Sequence, residues 1–135
     1  MEIKPCETRN SRMRRFLKTF LFVAVAAAVA PQSAMAAELV MFEQAGCAWC
    51  LRWNKEIGQA YPNTPEAKIA PLRRVDIHAP LPADLAGIRV ERFTPTFVLV
   101  DNGKEIGRMR GYTGDQFFWF LLGEMLEKLD TPKAG

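Results

Sequence analysis

Cys47 and Cys50 stand three residues apart in Gly46-Cys47-Ala48-Trp49-Cys50, where a short apolar run, Glu38 to Phe42, gives way to a pattern that reads as a helix. The residue types and spacing suit thiol–disulfide exchange. Unpaired N–H groups in a helix's first turn carry partial positive charge and favour a thiolate over a thiol at Cys47. One turn on, Cys50 is near enough to attack a mixed disulfide formed on Cys47. Cys47 is therefore the expected nucleophile and Cys50 the resolving thiol. The competing reading is a structural bridge, but closing so small a loop removes little chain entropy and makes a poor staple. Beyond residue 36 only these two cysteines and His78 remain, short of a four-ligand zinc site, and Leu51 stands where haem attachment would need histidine. No metal and no cofactor is expected.

The elements that must position this pair begin after a segment of another kind. Arg14, Arg15 and Lys18 form a positive region, Phe20 to Ala30 is apolar, and Ala34-Met35-Ala36 has the small-x-small pattern of a secretory cleavage site. Residues 1–36 are read as a secretory signal cleaved after Ala36, with translation starting at Met1 or Met13. An uncleaved anchor would need about 20 apolar residues, and Phe16 to Ala30 is shorter and interrupted by Lys18 and Thr19. Cys6 leaves with the signal. Residues 37–135 then carry 12 basic and 13 acidic side chains. The basic balance of the whole chain thus belongs to the signal, which leaves no case for nucleic-acid binding. Arg73-Arg74, the only basic doublet left, reads as a solvated strand edge. Export to an oxidising compartment makes a Cys47–Cys50 disulfide the natural resting state. Residues 37–135 suit one compact domain.

Along that domain, Glu38 to Phe42 reads as a buried strand, and Ala48 to about Gln59 as a helix with Trp49, Trp53, Ile57 and Ala60 at helical spacing. Tyr61 to Pro65 ends that helix. Glu66 to Ala70 allows one helical turn, Leu72 to Ile77 a second strand, and Pro80 to Ala86 a short helix. Thr96 to Val100 is the clearest strand pattern, followed by an Asp101-Asn102-Gly103-Lys104 hairpin turn and a return strand, Glu105 to Arg110. Asp115 reads as the N-cap of a helix from Gln116 to Leu129, whose apolar stripe is 118, 121, 122, 125, 126 and 129. The order β-α-β-α-β-β-α predicts an α/β fold with a mixed sheet flanked by helices, the first two strands parallel and the last two antiparallel.

Strand, Cys47-Ala48-Trp49-Cys50 at a helix start, Thr94-Pro95 opening the third strand, a hairpin and a C-terminal helix together resemble the thioredoxin superfamily. The resemblance covers Glu38 to Leu129 and implies that fold in its minimal form. It implies a cis peptide bond at Pro95, set against the Cys-x-x-Cys, with Thr94 and Pro95 holding a partner's backbone. Gly46 stands where thioredoxin has tryptophan, Ala48-Trp49 replaces Gly-Pro, and thioredoxin's buried carboxylate maps near Met41. Glu43, the nearest acid, is either a proton-transfer group or a solvated loop glutamate. At closer range Phe42 to Cys50, Trp53, Val75-Asp76-Ile77 and Thr94-Pro95-Thr96-Phe97 resemble the SoxS family of small periplasmic thioredoxin-like proteins. Membership would imply a reductant for the disulfides of the sulfur carrier SoxYZ in thiosulfate oxidation, recharged by a membrane electron donor.

Other residues leave choices open. Trp49 is expected to be exposed beside the sulfur and to contact a partner, whereas Trp53 is expected in the core. His78 reads as a solvated loop residue rather than a thiol-tuning group. Phe117 to Phe120 exceed what one helical stripe buries, so both plain packing and a docking face are compatible with them. The motif contains no cation, and the chain lacks room for the large helical insertion of DsbA-type oxidases, which points to a reductase. A general periplasmic disulfide reductase, for instance in cytochrome c maturation, and a redox-dependent binding module remain the alternatives.

Overall fold

The computed structural model describes residues 37–129. The expected signal at 1–36 with Cys6, and residues 130–135 of the expected domain, lie outside the described residues. The elements are β1 (Glu38–Glu43), α1 (Ala48–Trp53), a π-helical turn (Asn54–Gly58), a 3-10 turn (Tyr61–Asn63), α2 (Pro65–Ile69) and β2 (Leu72–Asp76). A second 3-10 turn (Ala83–Leu85), β3 (Thr96–Asp101), β4 (Lys104–Arg110) and α3 (Asp115–Glu127) follow. Among the described residues no helix is long and apolar enough to cross a membrane.

The sheet order is β2-β1-β3-β4. β1 pairs in parallel with β2 and antiparallel with β3, which pairs antiparallel with β4. The crossover from β1 to β2 carries α1 and α2, as a parallel pair requires. β3 and β4 need only two residues between them, and Asn102 (φ 50°) and Gly103 (φ 72°) supply the positive φ values of a tight hairpin. β1 and β3 are buried almost throughout because neighbours cover both their edges and packing covers both their faces. β2 is an edge strand, and its alternating arginines point to opposite faces. Arg73 bonds Glu38 and Asp84, while Arg74 bonds Glu43 and Asn54 and lies over the Trp53 ring. The basic doublet is thus a strand edge, ion-paired rather than merely solvated.

Four expectations change in detail. The first helix keeps α-helical bonding only to Trp53 and then widens into a π turn, where Gly58 lies so close that an added Cβ would sit 3.0 Å from the Trp53 ring. The Pro80–Ala86 segment makes only the 3-10 turn at Ala83–Leu85. The N-cap of α3 is Gly114, not Asp115: φ of 128° suits glycine alone, and Asp115 becomes the first helical residue, its Oδ1 accepting from the Gln116 N–H at 2.7 Å. Its charge there still favours the helix N-terminus. Of the expected α3 stripe, Phe118, Leu122 and Met125 are buried, whereas Leu121 is exposed with Phe117 and Phe120.

Candidate active site

The tight Gly46 turn (φ 74°) brings the chain from β1 into α1, so Cys47 arrives as the N-cap residue with extended backbone (φ −72°, ψ 104°). A sulfur replaces the usual capping oxygen: Cys47 Sγ accepts from the Cys50 N–H at 3.1 Å, while Cys47 O takes the Leu51 N–H, the first intrahelical bond. Cys47 and Cys50 are joined in a disulfide. Cys47 is 9% exposed and Cys50 3%, so an attacking or attacked sulfur is reached from the Cys47 side. Both belong to one apolar cluster with Trp53, Phe97 and Phe118, whose rings stand 5.1 to 5.6 Å apart. Met41, mapped to the position of thioredoxin's buried carboxylate, is fully buried there.

The Thr94–Pro95 peptide bond is cis, Pro95 is buried and Thr94 half-buried. Two contacts fix this loop. Pro95 O accepts from the Gly111 N–H at 2.7 Å, and Thr96 Oγ1 donates to Phe93 O at 2.7 Å. A third ties it to the cysteine loop: Gln44 Nε2 donates to Thr94 Oγ1 at 3.0 Å, and Gln44 O accepts from the Cys47 N–H at 3.4 Å. With its amide nitrogen spent on Thr94, Gln44 presents Oε1 to His78 Nε2 at 3.0 Å. His78 is therefore an exposed residue anchored to the active-site loop.

Trp49 is exposed and Trp53 fully buried. Trp49 and Thr94 line one groove of about 440 Å³ with Arg52, Phe93 and Tyr112. The Arg52 guanidinium lies 5.7 Å from the Trp49 ring centre and 5.8 Å from that of Tyr112. Arg52 Nε donates to Glu56 Oε1 at 2.8 Å, and the Tyr112 hydroxyl donates to Glu56 Oε2 at 2.6 Å. The bond from Arg52, with that from Tyr112, holds the Glu56 carboxyl below its ordinary range. Burial first, and the neighbouring Glu56 second, push the Tyr112 phenol up, so it stays a neutral donor.

Glu43 is the last residue of β1 rather than a loop residue, and its carboxylate is clamped by Arg74 Nη1 at 2.8 and 3.0 Å. That clamp makes it a structural ion-pair partner. Gln44, Arg52, Phe93 and Tyr112 were not legible as site residues. Gly111 signals the turn that delivers Tyr112, but no local pattern pairs Tyr112 with a helix more than fifty residues earlier. Among the described residues no group of three or more His, Cys, Asp or Glu side chains is placed to hold a metal ion.

No family profile and no curated protein sequence matches the chain. Solved structures do. The periplasmic thioredoxin SoxS from Paracoccus pantotrophus, in its reduced form, is 44% identical over 70% of this chain and 99% of its own, with a TM-score of 0.65. Trxlp from Edwardsiella tarda EIB202 is 26% identical over 67% of this chain and 84% of its own, with a TM-score of 0.52. A thioredoxin-fold protein from Helicobacter pylori, 22% identical over 73% of this chain and 74% of its own at a TM-score of 0.56, shares the fold.

Proposed function

The chain belongs to the thioredoxin superfamily, in the family of the periplasmic thioredoxin SoxS, and on that premise we propose that it is a periplasmic reductase of a partner protein's disulfide. Thiol–disulfide oxidoreductase chemistry follows from that membership and from the Cys47–Cys50 pair. The observation that carries the proposal is the placement of Cys47: N-cap of α1, the more accessible of the two sulfurs, with exposed Trp49 beside it.

In the dithiol form the Cys47 thiolate attacks one sulfur of the partner's disulfide. That bond breaks, a mixed disulfide forms, and the departing partner thiolate takes a proton. Cys50, deprotonated, then attacks Cys47 Sγ, closing the Cys47–Cys50 disulfide and releasing the second partner sulfur as a thiol. The partner gains two electrons and two protons, and the enzyme is left in the disulfide form seen here. A dithiol or membrane electron donor must recharge it. Trp49, Thr94 and Pro95 hold the partner's chain, supported by the groove that Trp49 and Thr94 share.

The reducing direction is supported by the motif's electrostatics. Ala48-Trp49 contributes no cation, and the guanidinium nearest in sequence, Arg52, is neutralised by Glu56. Strong oxidants stabilise their thiolate far more heavily. Residues 1–36 are the export signal, cleaved after Ala36, and the partner is a sulfur carrier of the SoxYZ type whose cysteine must stay reduced for thiosulfate oxidation. Similarity to a periplasmic SoxS supports both assignments.

Trapping with Cys50→Ser tests the reading. Without a resolving thiol the mixed disulfide on Cys47 persists. Expressed from the full chain in its own cell envelope, the variant should hold one dominant partner carrying a reactive cysteine. A broad mixture of secreted proteins would instead indicate a general disulfide reductase, and the absence of any adduct on Cys47 would end the proposal.

A further inference from the structure

Two grooves meet at Phe93, which is 69% exposed on the ridge between them. One is the Trp49–Arg52–Thr94–Tyr112 groove beside the disulfide. The other, of about 270 Å³, is lined by Arg89, Val90, Glu91, Arg92, Phe93 and Arg110. The charge along this second groove is lopsided. Its one carboxylate, Glu91, is 7% exposed at the side chain, and its oxygens already accept from Arg89 at 3.0 Å, Arg108 at 2.8 Å and Arg110 at 2.6 Å. The bond from Arg110, with Arg108 and Arg89 alongside, holds that carboxyl below its ordinary range. Arg108 is balanced by Glu105. Arg92 is exposed and makes no ion pair among the described residues, and Arg89 and Arg110 are exposed as well. One sequestered carboxylate therefore faces three solvent-reaching guanidiniums.

This local excess does not reflect the composition of the domain, since residues 37–135 hold 12 basic and 13 acidic side chains. It sits where chain geometry ties it to the active site: Arg110 ends β4 opposite Thr96, and Gly111 next to it is bonded to Pro95. Resting on the reading above that a partner protein presents its disulfide to Cys47, we infer that the Arg89–Arg92–Arg110 strip docks an acidic segment of that partner, with Phe93 covered by an apolar side chain between the acids and the reactive sulfur. Guanidiniums suit this occupant because they bond carboxylates in two-pronged fashion and shed water more readily than ammonium groups. A second copy of the chain docked through the same strip would oppose arginines to arginines. The field of the strip also acts before contact, steering an acidic partner toward the disulfide.

The test uses protein produced from the full chain and reduced, with three synthetic peptides that share one disulfide ring and differ only in flanks: acidic, uncharged or basic. Second-order reduction rates are measured at low and high salt, each divided by the same protein's rate with 4,4′-dithiodipyridine, an uncharged small disulfide, so that altered thiol chemistry cancels. At low salt the acidic peptide should react about tenfold faster than the basic one, and the ratio should collapse at about 1 M salt, where the screening length is ~3 Å. Arg92→Glu combined with Arg89→Gln should abolish or invert the ratio. Equal rates for all three peptides, or a ratio untouched by the variant, would overturn the docking surface alone. Failure to reduce any peptide while dithiodipyridine reacts would overturn the reductase reading itself.

Discussion

The two faces of the sheet carry unlike cores. On one, Leu39, Met41, Phe97 and Leu99 join Trp53, Tyr61, Phe118, Leu122 and both cysteines under α1, α2 and α3. On the other, Val40, Phe42, Val98 and Val100 meet Val75, Leu85 and Ile88 beneath a 3-10 turn, with half-buried Ile77 and Leu81 packed against them. Neighbouring residues of the same two strands thus serve different ends. The aromatic face is thick because it must hold a helix N-terminus and its disulfide in place against the sheet. The other face, aromatic at Phe42 alone, closes the domain. Redox reactivity should therefore depend on packing on one face and be indifferent to it on the other.

The sharpest way to break that contrast is Trp53→Ala. Trp53 is fully buried one turn beyond Cys50 and contacts Phe97, Phe118 and Tyr61. Its loss should cost about 3–5 kcal/mol in denaturant unfolding. It should also slow exchange per folded molecule by about tenfold or more, since small misplacements at a reacting centre are expensive. An unchanged rate would show that the aromatic core does not position the thiols.

Leu85→Ala probes the thin face. Leu85 is fully buried beneath β1 and β3, so about 2–4 kcal/mol should be lost. Exchange by the folded fraction should not change. A fall in rate matching that of the Trp53 variant would erase the distinction between the faces.

The smallest effect lies at the rim of the thick face, in the Arg52–Glu56–Tyr112 triad. Because the Glu56 carboxyl is held below its ordinary value, its ion pair contributes stability above the unfolded value of about 4.3, and that contribution is lost as pH falls through the lower folded value. Glu56→Gln should be slightly less stable than the parent at neutral pH, and the gap should close on acidification below pH 4. The pair is solvent-exposed, so the gap is small. A gap that persists at low pH would assign the effect to the Tyr112 hydrogen bond instead.

Local pattern carried much of this protein. The strand at 96–101, the Asn102-Gly103 hairpin, the parallel and antiparallel pairings, the burial of Trp53 and the exposure of Trp49 all follow from periodicity, turn chemistry or chain connectivity, which act over a few residues. The Cys47–Cys50 spacing likewise announced thiol chemistry without reference to anything distant. Where tertiary contact overrides local preference, the pattern failed: glycine geometry displaced Asp115 as a cap, the first helix widened beside Trp53, and Leu121 was left exposed. The Gln44 link between Thr94 and His78, the Glu56–Tyr112 bond and the three arginines gathered on Glu91 join residues 17 to 56 positions apart, apart from Arg89 beside Glu91. No periodicity encodes such pairs. They exist because β1 and β3 lie side by side, with β4 next to β3, and bring separate loops together at one end of the sheet, so the reactive pair belongs to the sequence and its surroundings belong to the fold.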